Sequence, residues 1–137
     1  MASSPVYHVD ANVLLRFLRN DHAEHSPRAA RLIERANEGH VILEISAVTV
    51  AEVFYALRAS YRVDRRRAAS ALADLLNTPA FRLAERALVL DSLARVQASN
   101  VDFGDAYLAA TAAESGHAVA SFDRDLDKFA DVKRFEP

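Results

Sequence analysis

The stretch Val6-Tyr7-His8-Val9-Asp10-Ala11-Asn12-Val13-Leu14-Leu15-Arg16-Phe17-Leu18 decides the fold. Four β-prone residues stop at Asp10, and Val13, Leu14, Phe17 and Leu18 then repeat at helical spacing. A strand that passes directly into a helix opens a βαβ unit. The same change of period recurs down the chain. A helix is expected over residues 26–38, opened by Ser26-Pro27 and closed by Gly39. A strand follows over residues 41–46, then a helical pattern from Thr49 through Val50, Val53, Phe54 and Leu57. Beyond it come a helix over 64–77, a short strand over 81–83, and helices over 87–98 and 102–115. The chain closes with a strand over 117–121, a short helix over 123–129 and an edge strand over 132–135. Strands separated by helices predict one α/β domain over residues 1–137, with a parallel central sheet flanked by helices on both faces.

The chain has 137 residues, a formal charge of -2 and no cysteine. The absence of cysteine excludes a disulfide framework, a thiolate metal site and a cysteine nucleophile. Its three glycines, Gly39, Gly104 and Gly116, are dispersed, which excludes the clustered glycines of a P-loop or a dinucleotide-binding turn. No apolar run approaches the roughly 20 residues that span a bilayer, so no membrane association is expected. The first residues show neither a basic nor an apolar signal segment, and a cytoplasmic location is expected. Fifteen of the 17 basic residues are arginines, grouped as Arg16 and Arg19, as Arg28, Arg31 and Arg35, and as Arg58, Arg62 and Arg65 to Arg67. Planar guanidinium groups suit bidentate phosphate contacts, and they equally form surface ion pairs.

The acids fall at strand-to-helix junctions. Asp10 ends the first strand, Glu52 is expected in the first turn of the helix after the second, Asp102 and Asp105 open the alanine-rich helix, and Asp123 follows the strand ending at Ser121. In a parallel α/β sheet such junctions share one edge, where these folds bind ligands. Each acid also has a purely structural reading. Thr49 and Glu52 fit a capping box, Asp102 and Asp123 fit N-caps, and Asn12 fits a cap for the first helix. Two unit charges 4 Å apart repel by about 4 kcal/mol at an effective dielectric near 20. Several carboxylates on one rim therefore call for a divalent cation or for raised pKa values. Oxygen-only donors select Mg²⁺ or Mn²⁺ over zinc, and Mg²⁺ suits phosphoryl chemistry.

Four segments in order, Val9-Asp10-Ala11-Asn12-Val13-Leu14-Leu15, Ala51-Glu52-Val53, Asp102-Phe103-Gly104-Asp105-Ala106-Tyr107-Leu108-Ala109-Ala110 and Ser121-Phe122-Asp123-Arg124-Asp125, resemble the PIN-domain ribonucleases. Within them the chain is similar to the VapC-type toxins of bacterial toxin–antitoxin pairs. The resemblance implies a Mg²⁺- or Mn²⁺-dependent endoribonuclease with Asp10, Glu52, Asp105 and Asp123 as its catalytic acids. Asp10, Asp105 and Asp123 would hold the metal and Glu52 would orient or deprotonate the attacking water. Asn12 and Ser121 match polar supporting positions, Asp102 is an additional acid, and Arg16 is a candidate substrate contact. RNA, a cognate antitoxin protein and a second copy of the chain are the implied partners. Gly104 stands where such proteins often carry alanine, a difference expected to change nothing essential.

Other constellations are weaker. An EF-hand reading of residues 123–134 fails because Lys128 and Arg134 occupy the required glycine and glutamate positions. His22 and His25 lack a third ligand. A Mg²⁺-dependent phosphatase of the Asp-x-Asp kind would need an acid where Asn12 stands. Two alternatives stay open: an RNA-processing PIN nuclease that is not a toxin, and a PIN-like scaffold that binds RNA or protein without cutting.

Overall fold

The computed structural model describes residues 3–137. Its elements run β1 (Val6–His8), α1 (Ala11–Arg19), α2 (His25–Asn37), β2 (Ile42–Ile45), α3 (Ala47–Ala59), α4 (Arg65–Leu76), β3 (Phe81–Leu83), α5 (Arg86–Ser99), α6 (Phe103–Ser115), β4 (Val119–Ala120), a 3-10 turn over Arg124–Lys128, and β5 (Arg134–Phe135). This is an α/β domain of parallel strands and six helices, as the alternating periods predict. The strands form two ladders. One has the order β1-β2-β3, with Leu43 opposite both Tyr7 and Phe81, and the other pairs β4 with β5. All pairings are parallel, so each consecutive pair needs a helical crossover.

β2 is the inner strand of its ladder, and Leu43 and Ile45 are buried there. β1 lies at the ladder edge with all three residues exposed, so Tyr7 and His8 do not contribute to the core as their apolar neighbourhood suggests. The core gathers Leu14 of α1, Val50, Val53 and Phe54 of α3, Leu72 and Leu76 of α4, Val89, Leu93 and Val96 of α5, and Ala106 and Ala109 of α6. The alanines let α6 approach its neighbours closely, as small side chains must in a close-packed interior. Gly116 takes a left-handed φ of 76° and ends α6, which only a residue without a Cβ does at no steric cost. Among the described residues no helix is long and apolar enough to cross a membrane.

Two local expectations differ from the structure. Ser46, not Thr49, caps α3: its Oγ accepts the Thr49 N–H at 3.3 Å. The helix therefore begins earlier, Glu52 lies in its second turn, and the Thr49–Glu52 capping box does not form. Asn12 is inside α1, whose N-cap position is taken by Asp10.

Candidate active site

Three of the expected acids sit where a helix begins, and two of those helices do not use them as caps. Asp10 occupies the N-cap of α1 with extended backbone (φ −77°, ψ 149°), yet its side chain makes no capping hydrogen bond. Its carboxylate is left exposed to solvent. Asp102 holds the N-cap of α6 in the same way, and its carboxylate instead accepts from Arg65 Nε of α4 at 2.8 Å. Arg65 also donates from Nη1 to the Asn100 carbonyl at 3.3 Å. Asp105 lies in the first turn of α6 and is half-buried.

The turn after β4 is tied differently. The Asp123 N–H donates to Ser121 Oγ at 2.9 Å, and Asp123 Oδ1 accepts the Asp125 N–H at 2.9 Å. Arg134 of β5 donates to the Ser121 carbonyl at 3.0 Å and pairs with Asp127 at 3.0 Å and Glu136 at 2.9 Å. Ser121 thus acts on the backbone that carries Asp123, and one carboxylate oxygen of Asp123 serves the turn.

Asp105 is the electrostatic centre of these elements. Burial, followed by the charges of Asp123, Asp102 and Asp125, holds its carboxyl above the usual carboxylate range, and Arg65 pulls the other way. The start of α6 and the turn after β4 therefore bring three other acids into electrostatic range of Asp105. No hydrogen bond or ion pair joins Asp10 or Glu52 to that group among the described residues, and both are exposed. Also among the described residues, no three or more His, Asp or Glu side chains stand close enough together to hold a metal ion. The donor chemistry nevertheless suits Mg²⁺, because the acids offer only oxygen. Mg²⁺ keeps much of its water and binds through one or two carboxylates plus substrate phosphate rather than in an all-protein cage.

Two residues that hold the site escape sequence reasoning. Tyr55 of α3 accepts the Gly104 N–H at 3.0 Å, which satisfies a first-turn donor of α6 that Asp102 leaves free. A Cβ on Gly104 would meet that hydroxyl at 3.0 Å, so an alanine here requires the Tyr55 side chain to give by a few tenths of an ångström. Arg65 reads in sequence as part of a basic run, whereas the structure commits it to Asp102. Two other arginines from the basic groups are also engaged: Arg58 donates to the Val63 carbonyl at 3.2 Å, and Arg19 lies over the Tyr61 ring at 4.9 Å. Arg16 pairs with Asp21 at 3.5 Å and lines a cleft between α1 and α2.

Compared with known families, residues 7–132 match the PIN domain. The chain belongs to the PIN domain family. No curated protein matches the chain. The match suggests a nuclease of the PIN superfamily. The PIN match runs from β1 to Val132, so it includes the starts of α1 and α6, the middle of α3 and the turn after β4.

Proposed function

We propose that this PIN domain is a Mg²⁺- or Mn²⁺-dependent endoribonuclease that hydrolyses RNA phosphodiester bonds, acting in the cytoplasm as the toxin of a toxin–antitoxin pair. The observation that carries the catalytic reading is the half-buried Asp105 carboxylate, surrounded by the charges of Asp123, Asp102 and Asp125. Like-charged acids packed at the start of a helix cost energy that a bound cation offsets.

Asp10, Asp105 and Asp123 are the proposed metal ligands. When bound, the cation lowers the pKa of a coordinated water and offsets charge on the phosphate oxygens. Glu52, exposed on α3, accepts the proton from the attacking water. Asn12, exposed in the first turn of α1, donates a hydrogen bond to the scissile phosphate, and Ser121 keeps Asp123 in place. Asp102 stays with Arg65 as a neighbouring charge. Hydrolysis of this kind does not use the ribose 2′-hydroxyl as nucleophile, so preference for RNA comes from contacts around the site, with single-stranded or loop segments the accessible targets.

The toxin role, a cognate antitoxin and a homodimer rest on the motif resemblance. The test of activity is cleavage of RNA by the purified chain with Mg²⁺ or Mn²⁺, abolished by chelation and by Asp105→Asn. The toxin role predicts growth arrest on expression, relieved by Asp10→Asn and by the product of an adjoining small gene. The lack of a gathered three-acid group among the described residues favours a second reading, a scaffold that binds RNA without cutting it. RNA affinity with no cleavage in either metal selects that reading.

A further inference from the structure

A cleft of about 530 Å³ opens between α1 and α2, lined by Asn12, Val13 and Arg16 from one helix and His25, Arg28 and Leu32 from the other. Asn12 and Arg16 are four residues apart and share a face of α1. That face leads away from Asp10 at the helix start, and Arg16 lies about 9 Å further along the axis at 1.5 Å per residue. Arg28 is exposed on the opposite wall and forms no ion pair among the described residues. Val13 and Leu32 are half-buried and supply an apolar floor. Arg16 meets Asp21 through Nη1 alone, at 3.5 Å, which leaves most of the guanidinium fork free for another acceptor. The stacked rings of His22 and His25, 4.1 Å apart, fix the rim at the start of α2, and His22 Nδ1 accepts the His25 N–H at 2.9 Å.

We propose that this cleft binds a backbone phosphate of the RNA strand flanking the scissile bond, held between Arg16 and Arg28. The proposal rests on the nuclease reading and adds to it a direction for the substrate, which runs along α1 away from Asp10. Two guanidinium groups on facing walls match the bidentate demands of a phosphate diester, and an apolar floor beneath them accommodates the sugar. A site of this kind reads charge and leaves sequence unread.

The test uses the full chain carrying Asp105→Asn, a fluorescent single-stranded RNA, and affinity measured across a salt series. Arg16→Ala and Arg28→Ala are each expected to reduce the slope of log K against log salt by about 0.7, the value for one lost single-strand phosphate contact. The weakening is expected to be the same for RNAs of unrelated sequence, and Arg28→Lys is expected to keep the slope. Arg28 is exposed, so its variants are expected to melt with the parent. If both alanine variants keep the parent slope and affinity while the unsubstituted chain cuts RNA, the cleft assignment falls and the nuclease reading stands. Loss of self-association in Arg28→Ala, with RNA binding untouched, also overturns the assignment in favour of a protein interface. If the unsubstituted chain neither binds nor cuts RNA with either metal, the nuclease reading falls as well.

Discussion

The Tyr55 hydroxyl accepts the backbone N–H of Gly104 at 3.0 Å, joining positions 49 residues apart. Helix α6 thus borrows a cap from α3, and its own N-cap carboxylate goes to Arg65. Asp102 is held by α4 and is spared the usual work of an acid at a helix start.

Gly104→Ala sets helix propensity against that bond. Alanine gains about 1 kcal/mol in a helix interior, while the displaced hydroxyl forfeits a hydrogen bond worth about 1 kcal/mol. A melting temperature within a few degrees of the parent is expected, with RNA cleavage reduced several-fold because the turn carrying Asp105 shifts. Tyr55→Phe keeps the ring against Phe54, leaves the Gly104 N–H without its partner, and is expected to cost about 1 kcal/mol in denaturant unfolding.

Asp105 gives the pH prediction. Its folded pKa lies above the ordinary 3.8, so the folded chain binds that proton more tightly than the unfolded chain. Stability contributed by this group is present at low pH, falls as pH rises through the window between 3.8 and the raised value, and stays lower at neutral pH. Asp105→Asn is therefore expected to be more stable than the parent at pH 7 without metal. The advantage closes as pH falls below 3.8, which unfolding curves across a pH series would show. A variant less stable than the parent at pH 7 contradicts the charge crowding.

Cation binding is readable without any RNA. Mn²⁺ at about 100 times its dissociation constant is expected to add about 2.7 kcal/mol to the parent's stability. Most of that gain disappears in Asp105→Asn. An equal gain in the two proteins would place the ion elsewhere.

Arg65 spans two partners, the Asp102 carboxylate and the Asn100 carbonyl. Arg65→Met is expected to slow cleavage at least several-fold while leaving RNA affinity within about twofold, because it unfastens the start of α6 without touching a substrate contact. Arg65→Lys is expected to restore only part of the rate, since one ammonium cannot reproduce the guanidinium fork. An unchanged rate in Arg65→Met would remove Arg65 from the site's support.

The order of strands and helices is legible in the sequence because each element keeps its own period: Val13, Leu14, Phe17 and Leu18 are helical by spacing alone, and β3 falls where Phe81-Arg82-Leu83 puts it. Helix starts are less legible. Ser46 and Thr49 both look like caps, and only the backbone geometry at Ser46 decides between them. That shift moves Glu52 from the first turn to the second. The roles of Tyr55 and Arg65 were not legible, since each depends on a partner at least 37 positions away. The charges around Asp105 follow from the junction rule, whereas the cleft between α1 and α2 depends on how two helices meet.

The borrowed cap on α6 has a kinetic corollary. The Gly104 amide proton is held across two helices by the Tyr55 hydroxyl, so slowed deuterium uptake at that first-turn position reports that the link is made. Gly104 thereby becomes an isotopic reporter of whether the acid-bearing turn stays fastened to the helix that supports it.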